Sequence, residues 1–195
     1  MYKVEWCEWN EIINETFVPL IDNKDRYIIC KGGRGSSKSD ATAKKLIYRC
    51  LNESYFRYIL IRNVYGTIKD SSYQTIKDII YDLGLQDLFE FKIQPLEIHC
   101  INGNSFLARG CDDTQKLKSI KDPTGAWWEE DVPSENDFIT VTTGIRTTKA
   151  DYLQEIFTIN PEVEGNYQDH WFWKRFFKDK PIDETFSDVT PLKIN

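Results

Sequence analysis

The chain has 195 residues, enough for one domain, and its composition is that of an ordinary globular protein, 41% hydrophobic and 29% charged. The net charge of −6 argues against a surface coated in basic charge for tight nucleic-acid binding, although a local basic patch is compatible with DNA contact. No apolar run is long enough to span a bilayer, and we expect no secretory leader and no membrane partner. The five cysteines form no CxxC pair, which favours reduced structural thiols in a cytosolic protein.

The hydrophobic pattern predicts helices and strands in alternation. The predicted helices cover about 10–20, 38–51, 71–83 and 170–178. The predicted strands cover 27–30, 58–61, short stretches within 88–106, 126–128 and 154–159, and residues 98–107 carry the Asn-Gly signal of a β-hairpin. Strands that alternate with helices indicate an α/β fold with a mostly parallel sheet covered on both faces.

Residues 32–39 read GGRGSSKS and lie between an apolar strand and an amphipathic helix. A strand, a glycine-rich loop, Lys-Ser and a helix form the pattern of a phosphate-binding P-loop, in which backbone N–H groups surround an anion. Lys38 is expected to reach the β- and γ-phosphates of ATP, and Ser39 to hold Mg²⁺ through its hydroxyl. The expected nucleotide-binding loop consists of Gly32, Gly33, Arg34, Gly35, Ser36, Ser37, Lys38 and Ser39.

The loop departs from the usual pattern G-x-x-x-x-G-K-[ST] at one position, because Ser37 stands where the second glycine is expected. If φ is positive there, the serine is strained by roughly 1–3 kcal/mol. A plain glycine-rich turn is the alternative interpretation, and the strand before and the helix after the loop disfavour it.

The segment Gly125-Ala126-Trp127-Trp128-Glu129-Glu130-Asp131 is a short apolar strand that ends in acids. An ATPase with a P-loop needs an acid on the metal side and a carboxylate that polarises the attacking water. We predict Glu129 as the metal-side acid and Glu130 as the catalytic base. Aspartate is more common at the first position, and an acidic turn that faces water is the alternative.

A third motif is Phe157-Thr158-Ile159-Asn160-Pro161, in which a strand ends in polar residues and a proline breaks it. At the carboxyl edge of a parallel sheet, where ligands bind, Asn160 is placed to contact the γ-phosphate. Residues 158–160 would transmit the structural change that accompanies ATP hydrolysis. Taken alone this motif is weak, because Asn-Pro is frequent in turns. Arg26 and Tyr27 are candidates for contact with the adenine.

Five segments together resemble the ATPase domain of phage terminase large subunits, over roughly residues 26–178. They are GGRGSSKS, LIRNVYGTIKDSSYQTI at 60–76, DDTQKLKSI at 112–120, AWWEED, and FTINP followed by HWFWKRFF. The resemblance implies a P-loop NTPase of the ASCE type, with the catalytic Glu130 directly after the Walker B acid. It also implies that Arg34 contacts the γ-phosphate as a catalytic residue and that Asn160 couples hydrolysis to movement. Arg62, after the second strand, corresponds to an arginine that recurs in the family.

The resemblance further implies that ATP hydrolysis drives double-stranded DNA into a viral procapsid, in the cytoplasm of an infected host cell. The implied partners are weakly and non-specifically bound DNA, a portal protein, a small terminase subunit, and further copies in a ring. Family members carry an RNase H-like nuclease domain, which would lie beyond residue 195, so we expect residues 1–195 to form a single ATPase domain.

Two basic segments are candidates for contact with DNA phosphates, with a solvated face as the alternative: Lys116, Lys118 and Lys121, and then Lys174, Arg175 and Lys178. Two other functions stay open. One is a helicase-like or other DNA motor with a P-loop. The other is a nucleotide-binding assembly module whose catalysis is weak because of Ser37 and Glu129.

Overall fold

A computed structural model describes residues 4–112, 117–130, 132–160 and 169–180. The chain divides into two compact units, residues 1–161 and residues 162–195. The helices whose bounds are described are α1 Trp9–Ile12, α2 Val18–Asp22, α3 Lys38–Asn52, α4 Ser72–Asp82 and α5 Glu135–Gly144 in the first unit, and α6 Trp171–Phe176 in the second. Short 3-10 turns lie at Glu15–Phe17, Tyr65–Thr67 and Gln86–Leu88. Within the described ranges, no helix combines the length and apolar character that a membrane crossing requires.

Seven strands form one sheet in the order β1-β7-β6-β2-β5-β4-β3. Their bounds are β1 Tyr27–Lys31, β2 Arg57–Arg62, β3 Phe89–Ile93, β4 Leu96–Cys100, β5 Ser105–Gly110, β6 Gly125–Glu130 and β7 Gln154–Ile159. The pairs from β1 across to β5 are parallel, and β4 pairs antiparallel with both β5 and β3. The predicted mostly parallel α/β sheet is therefore confirmed.

Helices cover both faces of the parallel part of the sheet. On one face α3 and α4 pack on β2, β5 and β6 in the main hydrophobic core, in which Trp127 is fully buried. On the other face the ring of Phe138 in α5 lies 6.5 Å from the ring of Trp128 and 6.1 Å from that of Phe157. Because both faces are covered, β6 and β7 are almost completely buried, including the polar residues Gln154, Glu155 and Thr158 of β7.

Two regions differ from the sequence prediction. The first predicted helix is divided, because the Asn14 side chain accepts a hydrogen bond from the Thr16 amide at 3.0 Å and starts a separate 3-10 turn. Pro19 then lies in the first turn of α2, where a proline is tolerated. Helix α5 was not predicted, because its run of threonine and valine has low helix propensity, whereas burial of Phe138 and Val141 stabilises it.

The helix that follows the P-loop is held against the N-terminal segment by a lysine. The Nζ atom of Lys45 donates to the carbonyl oxygens of Leu20, Ile21 and Asn23, each at 2.8 Å. These carbonyls lie at the carboxyl end of α2, where the last backbone acceptors of a helix have few partners and can accept from a side chain. Lys45 thus fixes α3, the helix that begins at Lys38 of the loop, to the carboxyl end of α2.

Candidate functional site

The three predicted motifs meet at one edge of the sheet because β1, β6 and β7 are parallel neighbours. Lys31 at the end of β1 and Glu130 at the end of β6 both have Ile159 as their partner in β7. The Gly32 amide continues the pairing, at 3.3 Å from the Ile159 carbonyl oxygen. The loop, the acids and Asn160 therefore leave the sheet side by side at its carboxyl edge, where ligands bind in open α/β sheets.

A cavity of about 400 Å³ lies at this edge. Its lining contains the predicted loop from Arg34 onward, both predicted acids and the predicted asparagine: Arg34, Gly35, Ser36, Ser37, Lys38, Ser39, Glu129, Glu130 and Asn160, together with Asp40 and Thr158. Gly32 and Gly33 are not part of the lining. Asp40 was not predicted, although its position in the first turn of α3, directly after Ser39, is a signal that could have identified it.

Lys38 is almost fully buried, with 7% of its surface exposed, and its ammonium group folds back onto the loop. The Nζ atom donates to the Gly32 and Gly33 carbonyl oxygens at 2.7 and 2.8 Å and to Ser36 Oγ at 3.0 Å. It also lies 3.4 Å from Asn160 Oδ1. Burial lowers the pKa of Lys38 below its usual value. The two glycines therefore act through their carbonyl groups, by holding this lysine at the cavity.

Two loop residues have the left-handed backbone conformation. Gly35 has φ 74°, and Ser37 has φ 62° and ψ 13°. Ser37 therefore has the positive φ at which a residue other than glycine is strained, and its side chain makes no capping hydrogen bond with α3. The replacement of glycine by serine leaves the loop in a strained conformation and does not prevent the strand–loop–helix arrangement.

Glu129 is nearly buried, with 9% of its surface exposed, and its Oε2 atom has no hydrogen-bond partner among the described residues. An unpaired carboxylate oxygen in a cavity that also contains the Ser39 side chain is a suitable environment for Mg²⁺, which prefers oxygen ligands. In the described ranges, no group of three or more His, Cys, Asp or Glu residues could hold a metal by itself. The unpaired oxygen of Glu129 and the hydroxyl group of Ser39 are the observations that fit Mg²⁺, which keeps water and phosphate as its other ligands.

Glu130 lies between two guanidinium groups. Its Oε2 atom forms an ion pair with Arg62 at the end of β2, and its Oε1 atom lies 4.0 Å from Arg34 Nη2. The Arg62 side chain is 14% exposed and that of Arg34 is 76% exposed, so the first pair is shielded and the second is open to solvent. Glu130 also has φ 72°, a conformation that is rare for a residue other than glycine.

Some residues named from the sequence are not brought to the cavity. The hydroxyl groups of Tyr27 and Thr142 in α5 are 2.7 Å apart, and Arg26 forms an ion pair with Glu155 at 3.1 Å. Tyr27 begins β1 at the end of the strand away from the loop, and contact of Arg26 or Tyr27 with the adenine stays a prediction. Of the basic candidates, Lys116 lies outside the described residues, and those exposed to solvent are Lys118, Lys121, Lys174 and Lys178.

Comparisons with known proteins identify the family of this chain. The model of the family described as phage terminase large subunit matches residues 24–193. The PBSX phage terminase large subunit of Bacillus subtilis (strain 168) is 30% identical over 169 residues, which cover 86% of this chain and 38% of that protein. This chain therefore spans little more than a third of the length of that relative.

Two solved structures share the fold. The large terminase from a thermophilic bacteriophage, in complex with ADP, has a TM-score of 0.62 and 16% identity, over 82% of this chain and 38% of that chain. The ATPase domain of the Thermus phage P74-26 large terminase has a TM-score of 0.51 and 15% identity, over 77% of this chain and 63% of that chain. The chain therefore belongs to the phage terminase large subunit family, and its fold is the P-loop NTPase fold of the ATPase domain in that family.

Proposed function

We propose that this chain hydrolyses ATP and that the hydrolysis drives double-stranded DNA into a viral procapsid. The observation that carries the proposal is the convergence of Lys38, Glu129, Glu130 and Asn160 on one cavity. Membership of the terminase large subunit family supports it, as does the similarity of the fold to a large terminase in complex with ADP.

The triphosphate of ATP would lie in the loop, with Lys38 at the β- and γ-phosphates. Its ammonium group would exchange contacts with the loop carbonyls for contacts with phosphate oxygens, which carry more negative charge. Arg34, which is mostly exposed, would turn toward the γ-phosphate. Both cations would stabilise the charge that spreads over the equatorial oxygens in the transition state, a contribution on the order of several kcal/mol.

Glu130 would orient a water molecule for in-line attack on the γ-phosphate. The pair with Arg62 occupies Oε2 of that carboxylate, so Oε1 is the oxygen left to accept a hydrogen bond from the water. Ser39 and Glu129 would hold Mg²⁺, which neutralises charge on the β- and γ-phosphate oxygens when bound.

Asn160 would link the nucleotide to movement. The side-chain oxygen of Asn160 lies 3.4 Å from Lys38 Nζ, and its backbone N–H donates to the Glu130 carbonyl oxygen at 3.4 Å. Asn160 is therefore connected to two residues that would respond to the γ-phosphate. DNA would be held weakly through its phosphates, with a ring of copies summing the contacts. A portal protein and a small terminase subunit would be the other partners.

A second candidate is a nucleotide-binding assembly module with little catalysis, and two observations favour it: the Arg62–Glu130 pair and the strained Ser37. Phosphate release from ATP and Mg²⁺, measured with and without double-stranded DNA, separates the two functions. The ATPase proposal expects turnover well above that of Glu130→Gln. If both proteins bind nucleotide and neither releases phosphate in any condition, the assembly module is correct. DNA-stimulated strand separation would indicate a helicase-like motor instead.

A further inference from the structure

A tryptophan in the core makes a direct hydrogen bond to a residue of the cavity. Trp127 Nε1 donates to Thr158 Oγ1 at 2.8 Å, and the two residues are 0% and 2% exposed. They lie on neighbouring parallel strands, with Thr158 opposite Glu129 in the register. Since Trp127 precedes Glu129 by two positions, all three side chains belong to the same face of the sheet. That face is the one covered by α3, whose first turn carries Lys38 and Ser39.

The bond determines what the Thr158 hydroxyl can do. An indole N–H can only donate, so the threonine oxygen is the acceptor, and the one hydroxyl proton is left for a different partner. No second partner of this hydroxyl lies among the described residues, and Thr158 lines the cavity. The neighbouring Glu129 Oε2 atom is likewise unpaired within that part of the chain. A donor and an acceptor, both buried, therefore point to an occupant of the cavity that completes them.

We propose that Trp127 is a positioning residue of the nucleotide site, which fixes the Thr158 hydroxyl so that its proton is donated toward the γ-phosphate end of a bound nucleoside triphosphate. The inference rests on the proposed nucleotide site and deepens it. Thr158 lies two residues before Asn160, whose side chain approaches the lysine that would hold the β- and γ-phosphates. A diphosphate lacks the γ-group, so the oriented hydroxyl favours the triphosphate. Trp127 is also part of the core between the sheet and α3. The orientation of the Thr158 hydroxyl, and with it the preference for a triphosphate, therefore depends on how this core is packed.

The neighbouring tryptophan provides a matched control. Trp128 is 2% exposed and its indole N–H donates to Glu155 Oε2 at 3.0 Å, which is a buried hydrogen bond like that of Trp127. Its side chain lies on the opposite face of the sheet, against the Phe157 ring at 5.7 Å, and it does not line the cavity. Trp128→Phe therefore also removes one buried indole hydrogen bond, in this case to a carboxylate, from a side chain outside the lining of the cavity.

The experiment measures the dissociation constants of ADP and of a non-hydrolysable ATP analogue, each with Mg²⁺, by calorimetry on the whole chain. We expect the preference for the analogue to fall about tenfold in Thr158→Val and about threefold in Trp127→Phe, the range that one hydrogen bond supplies. Thr158→Ser, which keeps the hydroxyl, should retain the preference, and Trp128→Phe should match the wild type. A purely structural role of Trp127 would instead give equal effects in the two tryptophan variants.

A second measurement is needed because Trp127→Phe could fail to fold. Among the indole ¹H–¹⁵N resonances of the ¹⁵N-labelled chain, we expect one to move upfield in Thr158→Val and to shift with the ATP analogue but not with ADP. The inference is overturned if no indole resonance responds, if Thr158→Val keeps the wild-type preference, or if the wild type does not prefer the triphosphate. Phosphate release is assayed separately, and its absence with the preference intact would refute ATP hydrolysis and leave this inference standing.

Discussion

The replacement of Ser37 by glycine should stabilise the protein. Ser37 has a left-handed backbone, φ 62° and ψ 13°, which costs a residue with a Cβ about 1–2 kcal/mol. Glycine removes that strain but adds about 0.4–1 kcal/mol of conformational entropy to the unfolded chain. The expected net gain in the free energy of unfolding is therefore about 0.5–1 kcal/mol. For a chain of this length, that raises Tm by roughly 1–4 °C in a thermal unfolding measurement.

Two control variants separate the backbone from the hydroxyl group. Gly35 has φ 74°, and a Cβ added to it would meet no heavy atom within 4 Å, so Gly35→Ala introduces backbone strain without a clash. By the same arithmetic it should lower the free energy of unfolding by about 0.5–1 kcal/mol. Ser37→Ala keeps the left-handed strain and removes only the hydroxyl, which makes no capping bond, so its stability should change by less than about 0.5 kcal/mol.

Calorimetric ATP binding completes the test of Ser37. Ser37→Gly should bind ATP as tightly as the wild type or more tightly, because glycine adopts the bound loop conformation without strain. The reasoning is refuted if Ser37→Gly unfolds at a lower temperature than the wild type while Gly35→Ala is also destabilised. A large loss of ATP affinity in both Ser37→Gly and Ser37→Ala would show that the serine hydroxyl is itself a ligand.

Three further predictions concern the charged residues. Lys38→Ala should abolish phosphate release and weaken nucleotide binding, and normal turnover in that variant would contradict the P-loop assignment. Glu130→Gln should bind ATP with Mg²⁺ yet hydrolyse it at least about a hundredfold more slowly, and if Glu129→Gln alone is slow, the two acids have the opposite roles. Binding to double-stranded DNA should be weak and should fall steeply between two salt concentrations, and it should fall further in the triple alanine variant of Lys116, Lys118 and Lys121, whereas tight binding that persists at high salt would exclude the motor.

The parts of the fold that could be predicted are those in which local signals agree with the tertiary structure. The loop lies between β1 and α3 as expected, because an apolar strand, a glycine-rich turn and an amphipathic helix each carry their own pattern. Helix α5 carries none of these, since its formation depends on burial against β6 and β7. Single-sequence patterns register propensity and periodicity, and do not register which surface is available for packing.

The same distinction holds within the site. The residues that line the cavity follow from the order of motifs along the chain, because parallel strands end at a common edge. The partners of those residues do not follow. The pair between Arg62 and Glu130 requires β2 beside β6, and this strand order cannot be read from residue types. Likewise, the bond from Trp127 to Thr158 depends on the register of β6 with β7.

The positions of backbone strain support the assignment of the cavity independently of any motif. Among the described residues, four that are not glycine have a positive φ, and two of these, Ser37 and Glu130, line the cavity. Strain of this kind persists only where the surroundings determine the conformation, and here β6 is buried on both faces while α3 is anchored through Lys45. A simple acidic turn facing water would have no need to hold Glu130 in this conformation beside a shielded arginine. The backbone strain at Ser37 and Glu130 therefore lies in the cavity, at the position where the phosphates and the attacking water are proposed to meet.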